Sequence, residues 1–193
     1  LFADYNNMES IEKANVSESA AVFISIPDDA QVLLYVLDFK KRFPKPQIVV
    51  SIENSKLKDT FMSAGVKYAI ARNEIASKMV ASYMFEPDVA NLNYDLISAS
   101  RSMVDHDMLE YRIKEDNKYV SKDYIDLFID MKKTFNAVVV GLSRKENGDW
   151  KLLTNPPEHE KILFGDYLVL MCNGSVKKKL VKAFGVEEGR VIN

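Results

Sequence analysis

Few residues in this sequence have both the type and the spacing for covalent chemistry. Cys172 is the only cysteine and lies in the apolar run Tyr167-Leu168-Val169-Leu170-Met171-Cys172, the setting of an inert core thiol rather than a nucleophile. His106 and His159 have no cysteine or second histidine at metal-ligand spacing, so a zinc site is not expected. No G-x-S-x-G elbow places a serine beside a base, and no G-x-G-x-x-G turn is present to cradle a phosphate. The remaining polar candidates are carboxylates. Asp28 and Asp29 follow an apolar run and fit a helix N-cap and its first-turn charge. Asp105, Asp107, Glu110, Asp116, Glu158 and Glu160 are scattered enough to read as a solvated acidic surface, with a second cation site as the sharper alternative.

The elements that would position these residues fall into three stretches. Ala21–Ile26, Gln47–Ile52 and Val66–Ala71 are short apolar runs, each read as a buried strand. Between them the spacing predicts two helices. One is capped by Asp28 or Asp29, turns Val32, Leu33, Val36, Leu37 and Phe39 inward, ends in Lys40-Lys41-Arg42 and is stopped by Pro44 and Pro46. The other starts at Asn54 or Ser55, with Leu57, Phe61 and Met62 inward and Gly65 at its C′ position. Strand, helix, strand, helix, strand predicts a parallel α/β sheet with right-handed crossovers.

From Asn73 to about Ser100 the period is helical, with a break at Pro87. This pattern reads as two crossover helices between two lobes. Ile75, Met79, Val80, Met84 and Phe85 gather Met and Phe at helical spacing beside the hinge, and they are the expected dimer interface.

Beyond residue 100 the pattern becomes α+β. Leu109, Tyr111 and Ile113 alternate as a strand. Ser121 or Asp123 caps a helix carrying Ile125, Leu127, Phe128 and Met131. Asn147-Gly148 signals a two-residue hairpin leading into Trp150–Leu153. The strand Tyr167–Cys172 and a final helix with Val176, Leu180 and Val181 inward complete the lobe.

Composition narrows the function classes. The chain has 193 residues, 26 Lys+Arg against 28 Asp+Glu and a net charge of −2, which argues against an electrostatically driven nucleic-acid binder. A single cysteine excludes an intrachain disulfide framework and favours an intracellular setting. No run reaches the roughly 18 apolar residues of a membrane span, and no signal peptide is expected. Leu1 in place of Met leads us to expect an excised piece of something longer.

Two segments together resemble one family. Ser10-Ile11-Glu12-Lys13-Ala14-Asn15-Val16, just before the first strand, is similar to the helix preceding the fourth strand of RCK domains, the regulators of K+ conductance also called KTN or TrkA-type domains. The series Ala137–Arg144, Asn155-Pro156-Pro157 and Phe164-Gly165-Asp166-Tyr167-Leu168-Val169-Leu170 resembles the small C-terminal lobe of that family, in which a Gly-Asp pair opens the penultimate β-element. Cytoplasmic domains of prokaryotic calcium-gated potassium channels are the nearest in appearance.

The resemblance implies an α/β fold: the C-terminal part of a Rossmann-like parallel sheet over 1–72, crossover helices over 73–100 and a small α+β lobe of the TrkA-C type over 101–193. Leu1-Phe2-Ala3-Asp4 would be the tail of the family's third strand, with its first two strands and their glycine-rich turn missing, so nucleotide binding in the usual manner is not expected. Val22–Ser25 would then be an exposed apolar edge, covered by a symmetry mate, a partner chain or a retained fragment. It also implies a regulatory, non-enzymatic module that pairs as a homodimer or larger ring and serves a membrane pore or transporter subunit from the cytoplasmic face, without nucleic acid. Acidic ligands for Ca2+ at the ends of the fourth and fifth strands fall here on Ser25, Ser51 and Glu53, of which only Glu53 keeps a carboxylate. Two other classes are weighed against this reading: a stand-alone sensor of a nucleotide or cyclic dinucleotide, and a fragment of a Rossmann-type nucleotide-dependent enzyme.

Overall fold

A computed structural model describes residues 4–97 and 104–190, which fold into two compact units divided between Pro87 and Asp88. The division falls one residue into the second helix of the expected crossover. Residues 1–3 of the expected strand tail Leu1–Asp4 and the end of the crossover at 98–100 lie outside the described residues, and Asp4 belongs to no strand.

The first unit begins with the short helix α1 (Met8–Glu12), capped by the Asn7 side chain, which accepts the backbone N–H of Glu9 and Ser10. A parallel sheet in the order β1-β2-β3 follows, built from β1 (Ala21–Ser25), β2 (Gln47–Ile52) and β3 (Tyr68–Ala71). β2 is central and its Ile48, Val50 and Ile52 are buried, as a β-branched run flanked by two parallel neighbours should be. α2 (Asp29–Arg42) and α3 (Lys58–Ser63) are the crossovers. Asp28 is the N-cap of α2 and accepts the Gln31 N–H at 2.8 Å. Val32, Val36 and Phe39 form the buried stripe of α2, with Leu33 partly covered. Leu37 and Met62, expected to point inward, are exposed. The two small helices need only a narrow apolar stripe to cover a three-stranded sheet, and these residues fall outside it. Gly65 follows the α3 C-cap at φ +88°, a conformation open to glycine. α4 (Arg72–Phe85) closes the unit.

The second unit opens with α5 (Pro87–Ile97), whose first residue precedes the division. It continues with an antiparallel sheet in the order β4-β7-β5-β6, from β4 (His106–Arg112), β5 (Val138–Glu146), β6 (Asp149–Thr154) and β7 (Tyr167–Asn173). The β5–β6 hairpin turns at Asn147 and Gly148, both at positive φ (51° and 94°), as a two-residue turn between right-twisted strands requires. α6 (Tyr124–Phe135) and α7 (Gly174–Phe184) supply Leu127, Met131, Leu180 and Phe184 to a core shared with Tyr111, Val139, Leu168, Leu170 and Cys172. Ser121 is not the cap of α6. Asp123 holds the cap position, yet its carboxylate turns to Lys161 at 2.8 Å. The first N–H groups of α6 are satisfied by carbonyls instead, Tyr124 on Glu160 and Ile125 on Glu158.

Candidate functional site

The carboxyl ends of parallel strands are where an α/β sheet receives ligands. Here register pairs Ser25 with Ser51 across β1 and β2, so the two hydroxyl-bearing residues are neighbours, Ser25 exposed and Ser51 buried. Glu53 follows β2. Its backbone N–H and that of Asn54 donate to the Asp29 carboxylate, both at 2.9 Å. Asp29 therefore ties the start of α2 to the end of β2, a role beyond the first-turn charge that the sequence indicated. The Glu53 carboxylate faces Arg72 at 3.2 Å. Beside it, Glu74 accepts from Lys58 at 2.5 Å and Lys78 at 2.8 Å, and these hydrogen bonds pull its carboxyl down to about 2.

This donor set is a poor fit for Ca2+ as it stands. One carboxylate is already ion-paired, one hydroxyl is buried, and the three side chains offer at most four oxygens against the six to eight the ion takes. Among the described residues no group of three or more His, Cys, Asp or Glu is placed to hold a metal ion. In the second unit, Glu110 and Glu160 of the acidic set are taken by arginines.

α4 presents a different kind of surface. None of its residues is buried. Ile75 and Val80 are exposed, Met84 is 72% and Phe85 80% exposed, and Met79 is half-buried. Between the larger side chains, Ala76, Ser77 and Ala81 line a shallow groove with Val80 and Met84, a shape that lets a second helix approach closely. Ion pairs tie this fourteen-residue helix to its own lobe, which nevertheless leaves most of its apolar surface in water.

β1 is the outer strand of its sheet. Phe23 is 63% exposed, and the strand borders an apolar cleft of about 290 Å³ lined also by Ile11, Ile26, Tyr35 and Phe39. Of the expected exposed edge Val22–Ser25, Phe23 and Ser25 are exposed, while Val22 is half-covered and Ile24 is buried in the core of its own unit.

The Gly-Asp pair of the second unit has a structural task. Gly165 turns at φ +89°, and Asp166, 2% exposed, accepts Arg144 Nε at 2.9 Å and Nη2 at 2.8 Å together with the Leu163 N–H at 2.9 Å. Arg144 also donates to Glu160 (2.8 Å) and to the Lys161 carbonyl (2.7 Å), and these carboxylates hold its guanidinium firmly charged. Both Arg144 and Asp166 stood inside recognisable segments, but nothing in a spacing of 22 residues marks them as partners. Cys172 is buried, and that burial pushes its thiol up to about 11, the inert state expected of it.

Residues 1–72 match the family model of the TrkA-N domain. Over 96% of its length the chain superposes on the human SLO3 gating ring with a TM-score of 0.73 at 14% identity. The chain has the RCK fold. Against the GsuK RCK domain the identity is 12% over 95% of this chain, with a TM-score of 0.41. An RCK_C domain dimer of S. agalactiae BusR in complex with c-di-AMP matches 39% of this chain at 18% identity and a TM-score of 0.32. The chain spans 38% of the SLO3 chain and 37% of the GsuK chain. No curated protein matches it in sequence. Among the described residues no helix is long and apolar enough to cross a membrane.

Proposed function

We propose that this chain is an RCK domain and the regulatory module of a potassium channel or potassium-uptake system, acting at the cytoplasmic face of the membrane as a dimer or larger ring. The observation that carries the reading is α4, a helix with no buried residue that displays Ile75, Val80, Met84 and Phe85, with Met79 half-covered. Burying the two largest of these would contribute about 1.5–3 kcal/mol each toward association of a face that one lobe leaves in water. The likeness to the SLO3 gating ring supports the architecture on which the proposal draws.

In this reading the module works by rearrangement, with no bond made or broken. A ligand that binds one arrangement of the assembly more tightly shifts the population toward it, and the shift is set by that difference in affinity alone. Ca2+ belongs to the proposal only as an ion for which Glu53 leaves Arg72, joined by Ser25 and Ser51.

The test is potassium flux through the full-length protein or complex that carries this chain. Met84→Glu with Phe85→Glu is expected to abolish regulated changes in flux while protein abundance holds. Regulated flux unchanged by both charges would overturn the reading.

A further inference from the structure

The last described residue of the second unit is bound in an unusual way. Arg190 lies beyond α7, on a short strap outside any helix or strand. The strap turns at Gly185 (φ +63°) and Gly189 (φ +87°), is anchored by a Lys177–Glu188 ion pair, and donates the Gly189 N–H to the Glu110 carbonyl at 2.8 Å. From there one guanidinium meets a residue from each of the four strands. Nε donates to Glu110 Oε2 of β4 at 2.6 Å, and Nη2 to Glu110 Oε1 at 3.2 Å and to Ser143 Oγ of β5 at 2.8 Å. Its carbon lies 4.6 Å from the ring centre of Trp150 on β6 and 5.0 Å from that of Tyr167 on β7. The two rings stand edge to face, 83° apart with centroids at 5.0 Å.

Carboxylate fork, hydroxyl and two aromatic faces together match a planar guanidinium, which bonds in its plane and stacks on its faces. An ammonium does the first poorly and the second weakly. The four walls are fixed by the sheet, whereas the occupant hangs on a tether with two glycine turns. When the strap lifts, the cage keeps its shape and Glu110 loses its counter-charge. Around it the same sheet face leaves Met108 and Leu152 exposed, and Trp150 is 40% exposed, so an incoming chain would have apolar surface to settle on.

We propose that Glu110, Ser143, Trp150 and Tyr167 form a binding site for an arginine side chain of a protein partner, occupied in cis by Arg190. A tethered occupant competes at an effective concentration on the order of millimolar, so the partner's arginine binds weakly until the strap is displaced. The inference stands on the second unit alone and is independent of the potassium-transport reading.

The chain holds a single tryptophan, so Trp150 reports on the site directly. In Arg190→Ala, N-acetyl-arginine amide should give a saturable change in Trp150 fluorescence and in its indole N–H resonance. N-acetyl-lysine amide should not, and the unaltered chain should need at least about tenfold more of the arginine probe. A folded Arg190→Ala chain with no saturable response, or one that responds equally to lysine, would overturn the proposal. If Arg190→Ala does not fold, Arg190→Lys, which keeps the charge and loses the fork, takes its place in the same titration. A response there no stronger than that of the unaltered chain also overturns it.

Discussion

Asp166→Ala should unfold the second unit far more readily than its single-residue size implies. The aspartate is 2% exposed and accepts three hydrogen bonds, two from Arg144 at 2.9 and 2.8 Å and one from the Leu163 N–H at 2.9 Å. Removing it leaves a three-quarters-buried guanidinium with Glu160 as its only carboxylate among the described residues and strips the Leu163 N–H of its acceptor. Breaking such a pair from one side costs about 3–5 kcal/mol. For a lobe near 100 residues, about 3 kcal/mol corresponds to a midpoint lowered by roughly 12–24 °C. Urea and thermal unfolding followed through Trp150, which lies on β6 in the same sheet, read that unit specifically. A double-mutant cycle with Arg144→Ala should return a coupling of about 0.5–3 kcal/mol. A loss in Asp166→Ala below about 0.5 kcal/mol, the range of a featureless surface change, would refute the assignment of the Gly-Asp pair as a structural clamp.

Two further outcomes concern the first unit. Glu74, held near 2 by hydrogen bonds from Lys58 and then Lys78, has a folded value below its ordinary 4.5. Its contribution is therefore present above the ordinary value and is lost as pH falls toward 2. The carboxyl carbon resonance should titrate near 2 and return toward 4.5 in Lys58→Ala; an unshifted midpoint in the parent chain would contradict the contact. For the calcium proposal, titration calorimetry of the chain with Ca2+ should give heat that Glu53→Gln removes, and equal heat or none in both chains would exclude Glu53 as a ligand.

What the sequence disclosed, and what it hid, follows from the range of the forces involved. β2 was legible to the residue because a β-branched run between turn signals has few other solutions, and Asn147-Gly148 because positive φ at two successive positions restricts residue type so strongly. Periodicity located α2 but not its roll on the sheet, so Leu37 was assigned to a core that ends at Val36 and Phe39. At α6 a side-chain cap at Asp123 was a fair local reading. A carbonyl-bearing segment more than thirty residues later took over that task and left the carboxylate to Lys161. Arg144 with Asp166, and Arg190 with Glu110, lie 22 and 80 residues apart, and no local pattern announces pairs that only the sheet brings together. The α4 face was legible for the opposite reason: a helix that its own lobe leaves uncovered shows its whole apolar pattern in one short stretch.

Light scattering on the purified chain, with and without Met84→Glu and Phe85→Glu, tests assembly through α4 most directly. The unaltered chain should run as a dimer or larger ring and the doubly charged chain as a monomer with unchanged circular dichroism. A monomeric parent, or an assembly that survives both charges at the same mass, would contradict it.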